Sequence, residues 1–119
     1  MIKTTKIDTV TFAGRSGEQH ELRIYVWETK FKALPGVYVI ASRSIEPGAA
    51  PTYQPLFVGT SDDLSKIFKN HPRSECFQLH YANTIGVLKE PDAAARERIV
   101  ADLIAGLQPP CNAPDADSL

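Results

Sequence analysis

Neither a metal-binding nor a disulfide framework is written into this sequence. Two cysteines and three histidines occur in 119 residues. Cys76 and Cys111 stand in no C-x-x-C or histidine-rich spacing, and His20, His71 and His80 have no carboxylate partners at a fixed interval. The expectation is no metal site and a pair of reduced, partly buried thiols, the usual state of free cysteine. Charge excess is also lacking: thirteen Lys and Arg face fourteen Asp and Glu, a formal net charge of −1. No global field then draws the chain to nucleic acid or anionic lipid, and any polyanion site has to be local. No apolar run is long enough to cross a bilayer, and Met1-Ile2-Lys3-Thr4-Thr5-Lys6 lacks the apolar core of a signal peptide. These absences lead to the expectation of a soluble cytoplasmic protein with no membrane partner.

What is present fits one globular domain. At 43% hydrophobic and 23% charged residues the chain can bury one core but is too short for two domains. Residues Ile7 to Phe12 alternate apolar and polar, Ala13 to Gln19 is turn-like, and Glu21 to Trp27 is rich in β-formers, which predicts a hairpin. A third strand is expected over Val37 to Ser42, whose near-continuous apolar character suits a doubly covered position. Ser44 to Pro55, with four residues of proline or glycine punctuation, reads as an exposed loop, and Leu56 to Gly59 as a short strand. Ser61-Asp62-Asp63 offers N-cap chemistry for a helix carrying Leu64, Ile67, Phe68 and His71 at helical spacing and ending at Pro72. A second short helix is expected from Glu75 to Ala82, with Cys76, Phe77, Leu79 and His80 as contacts, and a strand from Thr84 to Leu88. Asp92 caps a stronger helix from Ala93 to Leu107, where Ile99, Val100, Leu103, Ile104 and Leu107 form an apolar stripe that Pro109-Pro110 stops.

Five short pieces fall in a recognisable order. They are Gly36-Val37-Tyr38, Phe57-Val58-Gly59, the turn Thr60-Ser61-Asp62-Asp63-Leu64, His71, and Leu103-Ile104 with Pro109 and Asn112. Together they resemble the GIY-YIG endonuclease family over residues 34–112. The resemblance implies an α/β (α+β) domain: a small central antiparallel sheet flanked by helices, with residues 1–30 as an added N-terminal hairpin and 113–119 as a flexible acidic tail. In active members of that family one divalent metal, held by a glutamate on the last helix, works with an arginine on the first helix and with tyrosines to hydrolyse a phosphodiester. The logic is general, since charge developing on a phosphoryl group has to be met by a cation and a metal.

Carried over residue by residue, that machinery is largely missing. Tyr38 matches the first tyrosine, Phe57 replaces the second, Ile67 stands at the arginine position and Val100 at the glutamate position. Aliphatic side chains there mark a site that no longer needs water or metal. The resemblance therefore implies a catalytically inactive nuclease-like domain without cofactor that keeps a groove for DNA, RNA or a protein partner. Lys66, Lys69 and Arg73 are the candidate phosphate contacts, with Lys89, Arg96 and Arg98 as extensions. One alternative is an active, Mg2+-dependent phosphodiesterase rewired around Tyr38, His71 and Glu97. Another is an adaptor whose Trp27-bearing hairpin meets a partner by edge pairing.

Overall fold

The computed structural model describes residues 5–113 and contains five strands and two α-helices. Strands β1 (Asp8–Ala13) and β2 (Gln19–Val26) form the expected hairpin, followed by β3 (Gly36–Ser44), β4 (Thr52–Ser61) and β5 (Thr84–Lys89). Helix α1 spans Ser74–Leu79 and α2 Ala93–Leu107, with single 3-10 turns at Leu64–Lys66 and Pro110–Asn112. All pairings are antiparallel, in the order β1-β2-β5-β3-β4. This is the α+β class expected, a small antiparallel sheet flanked by helices. The hairpin is built into the sheet: β2 pairs with β5, Arg23 opposite Val87, and so covers an edge that the β4-β3-β5 unit leaves open. Apart from Ala113, the acidic tail expected over 113–119 lies outside the described residues. Among the described residues no helix is long and apolar enough to cross a membrane.

Each face of the sheet has its own core. Gly36 to Ala41 of β3 is buried throughout, and alternation sends Val37 and Val39 to one face, Tyr38 and Ile40 to the other. Val37, Val39, Val58, Leu22 and Phe12 pack against Leu103 of α2. Tyr38, Ile40, Leu56 and Ile85 pack against Leu64, Ile67 and Phe77. The sheet curls so far that its two edge strands meet, Tyr53 Oη of β4 donating to Asp8 Oδ2 of β1 at 2.7 Å.

A bulge makes this two-sided packing possible. Ile40 pairs with Phe57 but Ala41 with Pro55, leaving Leu56 as an extra residue in β4. The strand is re-phased there, so that Val58 and Tyr53 both reach the α2 core while Leu56 and Phe57 both enter the opposite one. Pro55 has no N–H for a ladder and is tolerated because β4 is an edge strand. The strand therefore begins at Thr52, inside the segment expected to be loop.

The helix expected over Leu64 to His71 is a single 3-10 turn followed by irregular turns. Asp63 caps it as anticipated, its Oδ1 accepting from the Ser65 N–H at 2.9 Å. Residues three apart eclipse in a 3-10 turn, which places Leu64 and Ile67 together in the core. Asn70, at φ 51°, then turns the chain before Pro72. Helix α1 is also shorter than expected and leaves Leu79 exposed, whereas Cys76 and Phe77 are buried. Helix α2 keeps its predicted bounds, with Asp92 Oδ1 accepting from the Ala94 N–H.

Candidate functional site

Tyr38 and His71, two of the three candidate site residues, come together. Their side chains meet at 2.8 Å between Tyr38 Oη and His71 Nε2. The Arg73 N–H donates to His71 Nδ1 at 3.0 Å, so in the neutral ring that nitrogen is unprotonated and Nε2–H donates to the tyrosine oxygen. Phe57 and Phe77 close over the pair, with ring centroids 5.0 and 4.8 Å from His71. Tyr38 is 6% exposed. Burial pushes its phenol up to about 12, and burial, with the nearby Arg73 charge second, pushes the His71 imidazole down. Both groups are thus neutral at pH 7, and neither offers a charge to a phosphoryl group.

Gly59 makes the arrangement possible. It lies opposite Tyr38 in the β3–β4 ladder, and a Cβ there would stand 2.7 Å from Tyr38 Cζ and 2.7 Å from the Phe57 ring. Gly59→Ala is expected to lower stability by about 1–3 kcal/mol through overpacking. A urea midpoint equal to that of the wild type would contradict this.

The same pair predicts a stability plateau. An unfolded histidine takes its proton near pH 6.5 while folded His71 resists it, so stability is whole above pH 6.5 and declines as pH falls below it. An unfolded tyrosine ionises near 10.0 while folded Tyr38 holds its proton to about 12. Stability then falls as pH rises from 10.0 to 12, by up to about 3 kcal/mol at roughly 1.4 kcal/mol per pH unit. Urea midpoints across pH should show both limbs, and Tyr38→Phe should flatten the alkaline one.

The other positions carried over from the nuclease pattern do not gather around this pair. Ile67 is buried in the Tyr38 core, but Val100 packs on the opposite face of the sheet, in the α2 core. Glu97 is exposed on α2, on that far side, and is not brought to Tyr38 or His71. Lys66 is exposed and within 3.8 Å of Asp63, Lys69 is exposed, and Arg73 is half-buried beside His71. Arg96, expected to extend the basic strip, is instead buried. Its Nε donates to Thr60 Oγ1 at 3.0 Å and its terminal nitrogen to the Glu90 and Pro91 carbonyls, fastening α2 to the sheet. Trp27 packs edge-on against Phe68 and Phe77 rather than standing free for a partner. The magnesium implied by an active family member does not fit this donor set, because an aliphatic side chain fills the glutamate position and Glu97, the acidic candidate, lies across the sheet.

A groove of about 420 Å³ opens on the Tyr38 face, between β2, β5 and the segment 30–34. Arg23, Lys30, Lys32 and Lys89 line it against one carboxylate, Glu21, over a floor that includes Tyr25, Phe31 and Val87. Val87 pairs with Tyr38 across the β3–β5 ladder, so the groove lies one strand from the Tyr38–His71 pair. Of these cations only Lys89 was among the sequence candidates. The period-2 run Glu21, Arg23, Tyr25 was the signal that could have placed Arg23 on that sheet face; Lys30 and Lys32, in the connecting segment, carry no such signal.

Two clusters of potential ligands also form. His20 finds a partner that its sequence neighbours did not suggest: its Nε2 lies 3.1 Å from Asp102 Oδ2 on α2. The same carboxylate accepts from the Ser16 N–H and hydroxyl, both at 2.8 Å, and is held below the usual carboxylate range, chiefly by the His20 hydrogen bond and then by Ser16. A Cβ on Gly14 would overlap that carboxylate, so the glycine lets the hairpin turn dock on α2. This cluster is a structural clasp, with its acceptors already used by Ser16. The second cluster corrects the expectation of free thiols: Cys76 and Cys111 are joined in a disulfide, with His80 beside them. Comparisons with protein families, curated proteins and solved structures find no match to this chain.

Proposed function

We propose that this chain is a catalytically inactive, GIY-YIG-like domain that binds the phosphate backbone of nucleic acid in the groove between β2, β5 and residues 30–34. The observation that carries the reading is the charge of that groove, four cations against one carboxylate in a protein whose net charge is −1. Such an arrangement gives local, salt-sensitive affinity for phosphates with no global field. Leu64 borders the groove, and the exposed Lys66 and Lys69 follow it in the chain. Lack of catalysis is supported by the neutral Tyr38–His71 pair, in which Tyr38 is buried and His71 half-buried, and by the separation of Ile67 and Val100 into different cores.

Binding of a labelled single-stranded and a duplex oligonucleotide, each at two salt concentrations, tests the binding half. Affinity should fall with salt, and Arg23→Gln with Lys89→Gln should reduce the logarithmic salt slope by roughly 1–2 units. Salt-independent or absent binding would leave the adaptor reading. A nicking assay with magnesium and manganese tests the other half: turnover that disappears in Tyr38→Phe would show the domain to be an enzyme.

A further inference from the structure

We propose that reduction of the Cys76–Cys111 bond opens a zinc site made by the two cysteines and His80. Cys76 and His80 are one helical turn apart and share a face, and Cys111 approaches from the 3-10 turn that follows α2. The Sγ atoms of Cys76 and Cys111 and a ring nitrogen of His80 lie within 4.8 Å of one another. Two thiolates and an imidazole are the donors zinc prefers over the oxygen-seeking cations.

The cysteines are held in place by more than their bond to each other. Asn112 clamps the Cys111 turn to β4, its Oδ1 accepting from the Val58 N–H at 2.7 Å and its Nδ2 donating to the Val58 carbonyl at 2.9 Å. On the other side Phe77 anchors α1 at 3% exposure, between Trp27, Phe57 and His71. Cutting the disulfide therefore leaves the backbone of both cysteines in place and frees only the two sulfurs to move apart. A tetrahedral ion with Zn–S bonds of about 2.3 Å needs them roughly 3.8 Å apart, a change that rotation about the two Cα–Cβ bonds provides. Cys76 and Cys111 are buried, whereas His80 is half-exposed, so the fourth coordination position faces solvent and takes water.

The chemistry balances with a dithiol reductant. Its two thiols are oxidised to a disulfide, and the two electrons and two protons appear on Cys76 and Cys111 as thiols. Zinc then binds both as thiolates with release of those two protons, and His80 contributes a neutral nitrogen lone pair. A disulfide sulfur is a poor ligand, so oxidation expels the ion. The site would be filled where thiols are kept reduced and closed where disulfides persist.

Cobalt is the spectroscopic probe. The full chain, reduced with a phosphine and kept anaerobic, is titrated with Co2+, and circular dichroism confirms that it stays folded. One equivalent should give a thiolate-to-cobalt charge-transfer band and tetrahedral d–d bands, both removed by added Zn2+. The oxidised chain should give neither. His80→Gln should keep the charge-transfer band but weaken binding by at least roughly tenfold, the lower end of what even outer-shell partners contribute. Cys76→Ser with Cys111→Ser should abolish the signal. The inference is overturned if the reduced wild type yields no charge-transfer band, if the oxidised chain binds equally well, or if His80→Gln leaves affinity unchanged.

Discussion

Reduction of the Cys76–Cys111 bond is expected to lower the unfolding free energy by about 4 kcal/mol, the chain-entropy value for a loop of this size. The two residues are 35 apart in sequence, and their bond ties α1, which precedes β5 in the chain, to the turn that follows α2. The unfolded chain thus loses much freedom when the bond is intact. Against the usual total of roughly 5–15 kcal/mol, the loss is large enough to move the urea midpoint clearly. Native packing at the two ends persists without the bond, because Asn112 and Phe77 hold them separately. The reduced chain should therefore unfold in one transition at lower urea. Titrations with and without a phosphine reductant in metal-free buffer, with the Cys76→Ser, Cys111→Ser double variant as a second measure, check this. A loss below about 1 kcal/mol in both would mean that the bond adds little beyond the clamps.

The pairing was not legible from the sequence, and the reason is physical. Two cysteines this far apart carry no local spacing signal, and their proximity is created by the fold, which brings the turn after α2 to the core that α1 packs on. Signals that are local fared better. The Asp92 cap, the apolar stripe of α2 and its proline stop are read within one helix, and the bounds Ala93–Leu107 followed. The continuous apolar run of β3 announced its doubly covered position for the same reason. The helix expected after Asp63 went wrong because the Leu64–Ile67 spacing fits both a 3.6-residue and a 3-residue period, and tertiary contacts chose the tighter turn. The early start of β4 was hidden by Pro51 and Pro55, which read as loop unless the strand is known to be an edge.

The candidate site was legible in part. Tyr38 and His71, both named as candidates, meet, and Gly59 supplies the space. Val100 and Glu97 failed because helix spacing gives a residue's face but not the side of the sheet on which the helix docks. The basic groove escaped notice because its cations come from β2, β5 and a connecting segment, with no run of like charge in any one of them.

Phe77 covers His71 together with Phe57, and removing it is the second large effect. Phe77 is 3% exposed, with ring centroids 4.8 Å from His71, 5.7 Å from Phe57 and 6.0 Å from Trp27. Phe77→Ala should cost about 3–5 kcal/mol, the range for deleting a buried aromatic ring. Phe77→Leu, which keeps most of the volume, should cost less than about 1.5 kcal/mol. Because burial is the main cause holding the His71 imidazole below its ordinary value, opening the cavity should also bring that group back toward 6.5. The Tyr38 phenol should fall from about 12 toward 10.0 for the same reason. NMR titration of the His71 ring and ultraviolet titration of the tyrosines read these shifts independently of stability. With the intact disulfide next to the vacated site the chain has a margin against unfolding, although neighbouring Cys76 makes the two effects non-additive. A variant that loses stability while His71 titrates as in the wild type would show that Phe77 supports the fold without sealing the pair, and the source of its desolvation would have to be sought in Phe57.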